Sequence, residues 1–195
     1  MPNVIVLAGP NGAGKSTAAE TLIRDLLGVE HFVNADTIAR GLSAYNPESV
    51  AVAAGRVMLE RIQELARRGD DFAFEKTLAS GSFAPWIAGL RPIGYRFYLR
   101  YLWVPTPEFS TARVAGRVRQ GGHHVPSEII ARRYLGGLRN LFSLYMPIAD
   151  DWIVYDNTTG ERREIATGML EEVSEVYDRD IWDTIWELGH GTQRT

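Results

Sequence analysis

A chain of 195 residues, 45% of them hydrophobic, can bury one full core, and it is read as a single domain over residues 1–195. Its 21 Lys+Arg against 24 Asp+Glu give a net charge of −3, which excludes the global positive field of a nucleic-acid binder. The absence of cysteine excludes disulfides, thiolate metal sites and thiol catalysis, and the N-terminus offers neither a basic region nor an apolar run long enough for a signal core or membrane span, so a cytoplasmic protein without membrane contact is expected.

The apolar run Val4-Ile5-Val6-Leu7-Ala8 reads as a buried strand, and residues 15–27 carry Ala18, Ala19, Leu22, Ile23, Leu26 and Leu27 at helical spacing, with Gly28 as the stop. His31 to Ala35 reads as a second strand ending at Asp36. Asn46-Pro47 opens a helix with an N-cap and a first-turn proline, and Gly69 ends it. Phe72-Ala73-Phe74-Glu75 is a third strand, residues 82–91 a short helix, and Gly94 to Val104 a fourth strand closed by Pro105 and Pro107. From Glu108 to Gln120 the pattern is helical and basic. It breaks at Gly121-Gly122-His123-His124-Val125-Pro126, and Ser127 caps a further helix with Ile130, Tyr134, Leu138 and Leu141 on its buried stripe. Asp151 to Asp156 is the fifth strand, and Met169 to Leu188 reads as a helix interrupted near Asp178-Arg179-Asp180. Alternating strands and helices imply an α/β fold with a five-stranded parallel sheet flanked by helices.

Between the first strand and first helix lies Gly9-Pro10-Asn11-Gly12-Ala13-Gly14-Lys15-Ser16, which fits G-x-x-x-x-G-K-[ST] at every fixed position. Glycines let successive backbone N–H groups turn inward on a phosphate, and the helix start adds its positive end. The fold expected is therefore that of a P-loop NTPase with ATP and Mg²⁺ as cofactors. The nucleotide contacts are expected from Gly9, Asn11, Gly12, Ala13, Gly14, Lys15, Ser16 and Thr17, with Lys15 on the β/γ-phosphates and the Ser16 hydroxyl on the metal. Asp156-Asn157-Thr158 ends the fifth strand where the base often rests, which makes Asn157 a further candidate.

The sequence lacks the guanine-reading Asn-Lys-x-Asp of GTP switches, and Leu135-Gly136-Gly137-Leu138 suits close helix packing better than a transporter signature. A kinase of small molecules needs a carboxylate for the acceptor hydroxyl, cations over the transferring phosphoryl and a flap against water. Asp36 and Glu75 supply carboxylates at the sheet edge, and residues 108–133 supply arginines on both sides of a Gly-Gly hinge, read as a lid. Paired His123 and His124 have no third partner for a metal. The alternative is an ATP-binding switch or ATPase that acts through a partner protein.

These residues resemble the zeta-toxin-like kinases over Val4 to Asn157, through the phosphate loop, Asn34-Ala35-Asp36, Glu75-x-Thr77 and the arginine-bearing lid. The resemblance implies phosphoryl transfer to a sugar hydroxyl of a nucleotide-sugar such as UDP-N-acetylglucosamine, and an antitoxin as partner. It implies Asp36 as base, Glu75 as a holder of substrate or metal, Thr77 beside the substrate, and lid arginines as phosphate clamps. Arg119 matches one of them. The second, which precedes a proline in the family, falls near His123-His124 here, and Arg132 or Arg133 takes its place, with Arg132 carried as the catalytic candidate.

Overall fold

A computed structural model describes residues 1–25, 28–119 and 125–191. Its centre is β1 (Asn3–Ala8), whose residues Val4 to Ala8 are no more than 2% exposed, as expected of a strand covered on both faces. The chain continues through α1 (Lys15–Ala19) into one π-helical segment, and Gly28, at φ 66°, turns it back with its N–H on Arg24 O. The predicted helix end at Gly28 agrees with this geometry, while Leu26 and Leu27 lie outside the described residues.

β2 (His31–Val33) is followed at once by α2 (Ala35–Leu42), so Asp36 sits in a helical first turn rather than on the strand end. Asn34 caps that helix by accepting from the N–H groups of Asp36 and Thr37 at 2.8 and 3.1 Å. Then come α3 (Ala51–Arg68), β3 (Phe72–Lys76), α4 (Ala84–Ala88), β4 (Arg96–Trp103), α5 (Pro107–Arg119) and α6 (Ser127–Asn140). β5 (Asp151–Asp156) has the predicted bounds. The basic segment read as a lid is therefore α5, the start of α6 and the connection between them. Its Gly121-Gly122 hinge and His123-His124 lie outside the described residues.

The sheet has seven strands among the described residues, in the order β2-β3-β1-β4-β5 followed by β6 (Arg163–Met169) and β7 (Glu172–Val176). The first five are parallel and the last two antiparallel, which corrects the five-strand expectation. The same region corrects the predicted tail helix, because α7 spans only Arg179–His190, capped by Asp178. The turn between β6 and β7 is made at Leu170, a non-glycine residue at φ 53°. Leu170 is held there by its N–H on Ala149 O and by the Trp152 indole N–H on its carbonyl. Gly168 permits the hairpin to lie on β5, since a Cβ there would stand 2.2 Å from the Trp152 ring.

Candidate active site

A cleft of about 1210 Å³ runs across the carboxyl ends of β1, β2, β3 and β5, where open α/β sheets bind ligands. Lys15, Lys76 and six arginines line it against only two carboxylates, Asp36 and Glu75. Such a surplus concentrates anions in the cleft.

The phosphate loop is shaped by contacts that leave no room for side chains. Gly14, at φ 82°, is the left-handed N-cap of α1, and a Cβ on it would lie 2.6 Å from the Asn157 amide nitrogen. That amide donates to Ala13 O at 2.7 Å, so Asn157, which is buried, fastens the loop to the end of β5. Gly12 abuts α5, where a Cβ would stand 2.7 Å from Ser110 O. Asn11, Ser16 and Thr17 border the cleft on the same rim, and Gly9 and Ala13 shape the loop behind it.

Lys15 lies on the loop with its ammonium donating to Gly9 O and Pro10 O, each at 2.8 Å, and 3.6 Å from Glu75 Oε1. Burial lowers its pKa below the ordinary lysine value, and the charges of Glu75 and Asp36 oppose that fall. Glu75 is engaged on every side: Ser16 Oγ donates to its Oε2 at 2.8 Å and Asn34 Nδ2 at 2.7 Å. Asn34 thus caps α2 through its oxygen and orients Glu75 through its nitrogen. Asp36 is exposed to the same cleft, on the far side of Asn34 in sequence and close enough for its charge to act on Lys15.

Thr77 lines the cleft just past β3, in a segment strapped down by α6. The Asn140 amide donates to Leu78 O at 2.7 Å, and a Cβ on Gly137 would come within 2.5 Å of Thr77 O. Gly136-Gly137 therefore serves close packing, as read from the sequence. Leu78 is held at φ 59°, a strained conformation for leucine and one kept by these surroundings.

The arginines divide by helical phase. Arg113 and Arg117, four residues apart on α5, both face the cleft, and the Arg117 charge reaches Lys15. Arg119, two residues further on, is exposed and is not among the residues lining the cleft, and its guanidinium lies along its own helix 3.9 Å from the Cβ position of Gly116, which does line it. Of the two, Arg117 is the one that lines the cleft. From α6, Arg132, Arg133 and Arg139 all line the opposite wall. Arg113, which carried no assigned role in the sequence, donates to Asn157 O at 3.0 Å, Thr158 O at 2.7 Å and Gly12 O at 3.4 Å, and its guanidinium lies over the Phe109 ring. The signal available for it was the four-residue spacing to Arg117.

The family model described as an AAA domain matches residues 4–134, a span that begins in β1 and ends inside α6. The chain belongs to the AAA-domain family. An uncharacterized protein of Haemophilus influenzae is 28% identical over 130 residues, covering 67% of this chain and 91% of the relative. Among solved structures, this AAA domain is similar to the AvrRxo1-ORF1:AvrRxo1-ORF2 complex with sulphate ions, with a TM-score of 0.74 at 16% identity over 95% of this chain and 63% of that one. The same complex with ATP gives a TM-score of 0.73 at 17% identity, over 95% of this chain and again 63% of that one. The AAA domain thus spans less than two thirds of the AvrRxo1 chains. The PezAT chromosomal toxin-antitoxin system of Streptococcus pneumoniae gives a TM-score of 0.70 at 20% identity, over 98% of this chain and 79% of that one. The zeta-toxin-like P-loop fold expected from the sequence is therefore the fold observed. No helix among the described residues is long and apolar enough to cross a membrane.

Proposed function

We propose that this AAA domain is an ATP-dependent small-molecule kinase that transfers the γ-phosphoryl group to a hydroxyl, with a nucleotide-sugar such as UDP-N-acetylglucosamine as the acceptor class. The carrying observation is the unequal setting of two carboxylates beside Lys15. Glu75 is held by Ser16 and Asn34, whereas Asp36 opens on the cleft with no such fastening. Support for ATP as the nucleotide comes from the complete loop and from the AvrRxo1 complex solved with ATP.

In this reading the triphosphate lies on the N–H groups of residues 12–17 and Lys15 leaves its loop carbonyls for the β/γ-oxygens. Asp36 accepts the proton of the acceptor hydroxyl as its oxygen bonds to the γ-phosphorus and the bond to the ADP oxygen breaks. Arg117 and Arg132 face the oxygens that gain charge. Ser16 Oγ and Glu75 Oε2, two hard oxygens 2.8 Å apart, suit Mg²⁺, an ion that keeps several waters and takes few protein ligands. When bound, Mg²⁺ neutralises phosphate charge. The setting of the protein in the cytoplasm and an antitoxin as protein partner belong to the same proposal, the latter supported by the toxin-antitoxin description of the PezAT relative.

The test is ATP consumption by the purified protein against nucleotide-sugars, nucleosides and free sugars, with phosphorylated product identified by mass spectrometry. Acceptor-dependent turnover that disappears in Lys15→Ala supports the kinase. Hydrolysis that no acceptor accelerates, and that a protein partner does, supports the switch or ATPase.

A further inference from the structure

Away from the cleft, the last part of the chain differs in charge from the rest. Residues 163–191 expose seven carboxylates, from Glu164 to Glu187, and two guanidiniums, Arg163 and Arg179. Arg163 is spent on Asp156 at 2.7 Å and Arg179 stands 3.9 Å from Asp183. This stretch of chain is thus acidic although the whole chain carries only −3, and its Glu171 lines a groove beside Trp186.

Among the described residues, apolar surface is exposed in the same part of the chain. Trp186 and Leu170 are 45% and 42% exposed, beside a groove of about 320 Å³ between α7 and the β6–β7 turn. Its floor is aromatic: Trp152 stacks on Trp182 at 5.8 Å, Phe142 meets Trp186 edge-on at 5.1 Å, and His190 stacks on Trp186 at 3.8 Å. Val173 and Glu171 form the opposite lip. Among the described residues β7 is the last strand of the sheet, and it is exposed or half-buried along its whole length. Unpaired edges of this kind are where proteins add a partner's chain.

We infer that this groove is a docking site for a basic protein segment that inserts one aromatic or aliphatic anchor between Trp186 and Leu170 and sets lysines or arginines against Glu171, Glu172 and Glu187. Charge selects the occupant. Nucleic acid and anionic lipid are repelled by the exposed carboxylates of Glu171, in the lining, and of Glu172 and Glu187, next in sequence to lining residues, and a neutral apolar peptide would leave them without counter-charge. Interface hot spots are enriched in tryptophan and form where an anchor fills a well-packed pocket. The site is separate from the nucleotide cleft, and no residue is common to the two linings.

The experiment uses the full chain and a fluorescein-labelled peptide of lysines around a central Leu-Phe-Leu cluster. Two controls accompany it: the same peptide with glutamate for lysine, and a lysine–serine peptide without the cluster. Fluorescence anisotropy should show saturable binding of the first peptide alone, weakening with salt. Trp186→Ser and, independently, Glu171→Lys/Glu172→Lys should each weaken it by roughly tenfold or more. The double Glu171→Lys/Glu172→Lys variant replaces exposed side chains and should keep the wild-type melting temperature, Trp186→Ser gives up ring contacts with Phe142 and His190 and should melt lower but in one cooperative transition, and both should keep ATP turnover. The proposal is overturned if the lysine–serine or glutamate peptide binds equally well, if no peptide binds, or if the variants bind as wild type. It is also overturned if phosphatidylserine vesicles bind at this face, or if sedimentation shows a dimer that Trp186→Ser dissolves, which would give the face to a second copy.

Discussion

Glu75 accepts the Ser16 hydroxyl at 2.8 Å, joining the first helical turn after the phosphate loop to the end of the neighbouring strand β3. The pairing follows from topology, since β3 lies directly beside β1 in parallel register, with Leu7 opposite Glu75. The same carboxylate holds the Lys15 charge up against burial. Glu75→Gln should therefore lower the Lys15 pKa further. Lys15 grips phosphate as an ammonium, so nucleotide affinity is lost as pH rises through its pKa, and this loss should begin at lower pH in the variant. Binding of a fluorescent ATP analogue in EDTA across alkaline pH would show it, and superimposable profiles would contradict it. The linkage to stability has the matching sign. The folded value lies below the ordinary 10.5, so the unfolded chain binds more protons between the two, and stability gains with pH in that window.

Asp36 lies in the cleft without the hydrogen bonds that occupy Glu75. Asp36→Asn keeps the size of the side chain and its place in the first turn of α2. It should leave the ATP dissociation constant within a few fold and lower phosphoryl transfer by ~10²–10⁴. Steady-state kinetics with the acceptor found by the panel would measure the drop. A fall confined to ATP affinity would move the base elsewhere.

The strand, loop and helix around Lys15 were legible because a local motif and the local hydrophobic pattern coincide there. β5 was legible to the residue, because its apolar run ends in the polar Asp156-Asn157-Thr158. The β6–β7 hairpin was not. Its turn is made by Leu170 at positive φ, where glycine or asparagine would have announced it, and tertiary bonds from Ala149 and Trp152 supply what the local sequence lacks. The scattered Leu170, Val173, Val176 and Tyr177 mimicked a helical stripe. Within the site, Asn34 was legible as part of a motif but its double duty to α2 and Glu75 required knowing that β2 and β3 are neighbours. Arg119 was chosen by likeness to a family pattern, whereas helical phase favours Arg113 and Arg117.

Gly137 carries α6 against the segment after β3, with the position of a Cβ only 2.5 Å from Thr77 O. The obstacle is backbone and cannot swing aside. Gly137→Ala should cost about 1–3 kcal/mol in chemical denaturation, as overpacking does, and should raise KM for the acceptor by displacing Thr77. In Gly55→Ala the new methyl meets open space within its helix, so that variant should be neutral or slightly stabilising.

Arg113 is a positioning residue that ties α5 to the loop at Gly12 and to the chain after β5 at Asn157 and Thr158. Arg113→Met retains the apolar stem over Phe109 and removes the donors. With three carbonyls left to water, stability should fall by about 1.5–3 kcal/mol, the usual worth of charge-assisted bonds. Thermal unfolding measures that loss. The fall in ATP affinity should exceed that of Arg113→Lys, which restores charge without the planar fork.

The last prediction sets Arg117 against Arg119. The two lie on one helix and both are exposed, yet of the two only Arg117 lines the cleft and places its charge where Lys15 feels it. Two residues along an α-helix is a rotation of about 200°, so the two side chains leave the helix on different sides. If Arg117 stabilises charge that grows on the transferring phosphoryl, Arg117→Ala should depress kcat by roughly 10²-fold or more while changing the ATP dissociation constant much less. Arg117→Lys should recover part of that loss, since it restores the charge but cannot grip two oxygens at once. Arg119→Ala, which removes an exposed cation outside the cleft lining, should keep kcat within about twofold, because a charge out in solvent is screened from the phosphates. Single-turnover measurements on the three variants separate these outcomes. Equal losses from Arg117→Ala and Arg119→Ala would mean that α5 rotates or partly unwinds when nucleotide binds. A loss from Arg119→Ala alone would return the clamp to the residue that the family likeness selected.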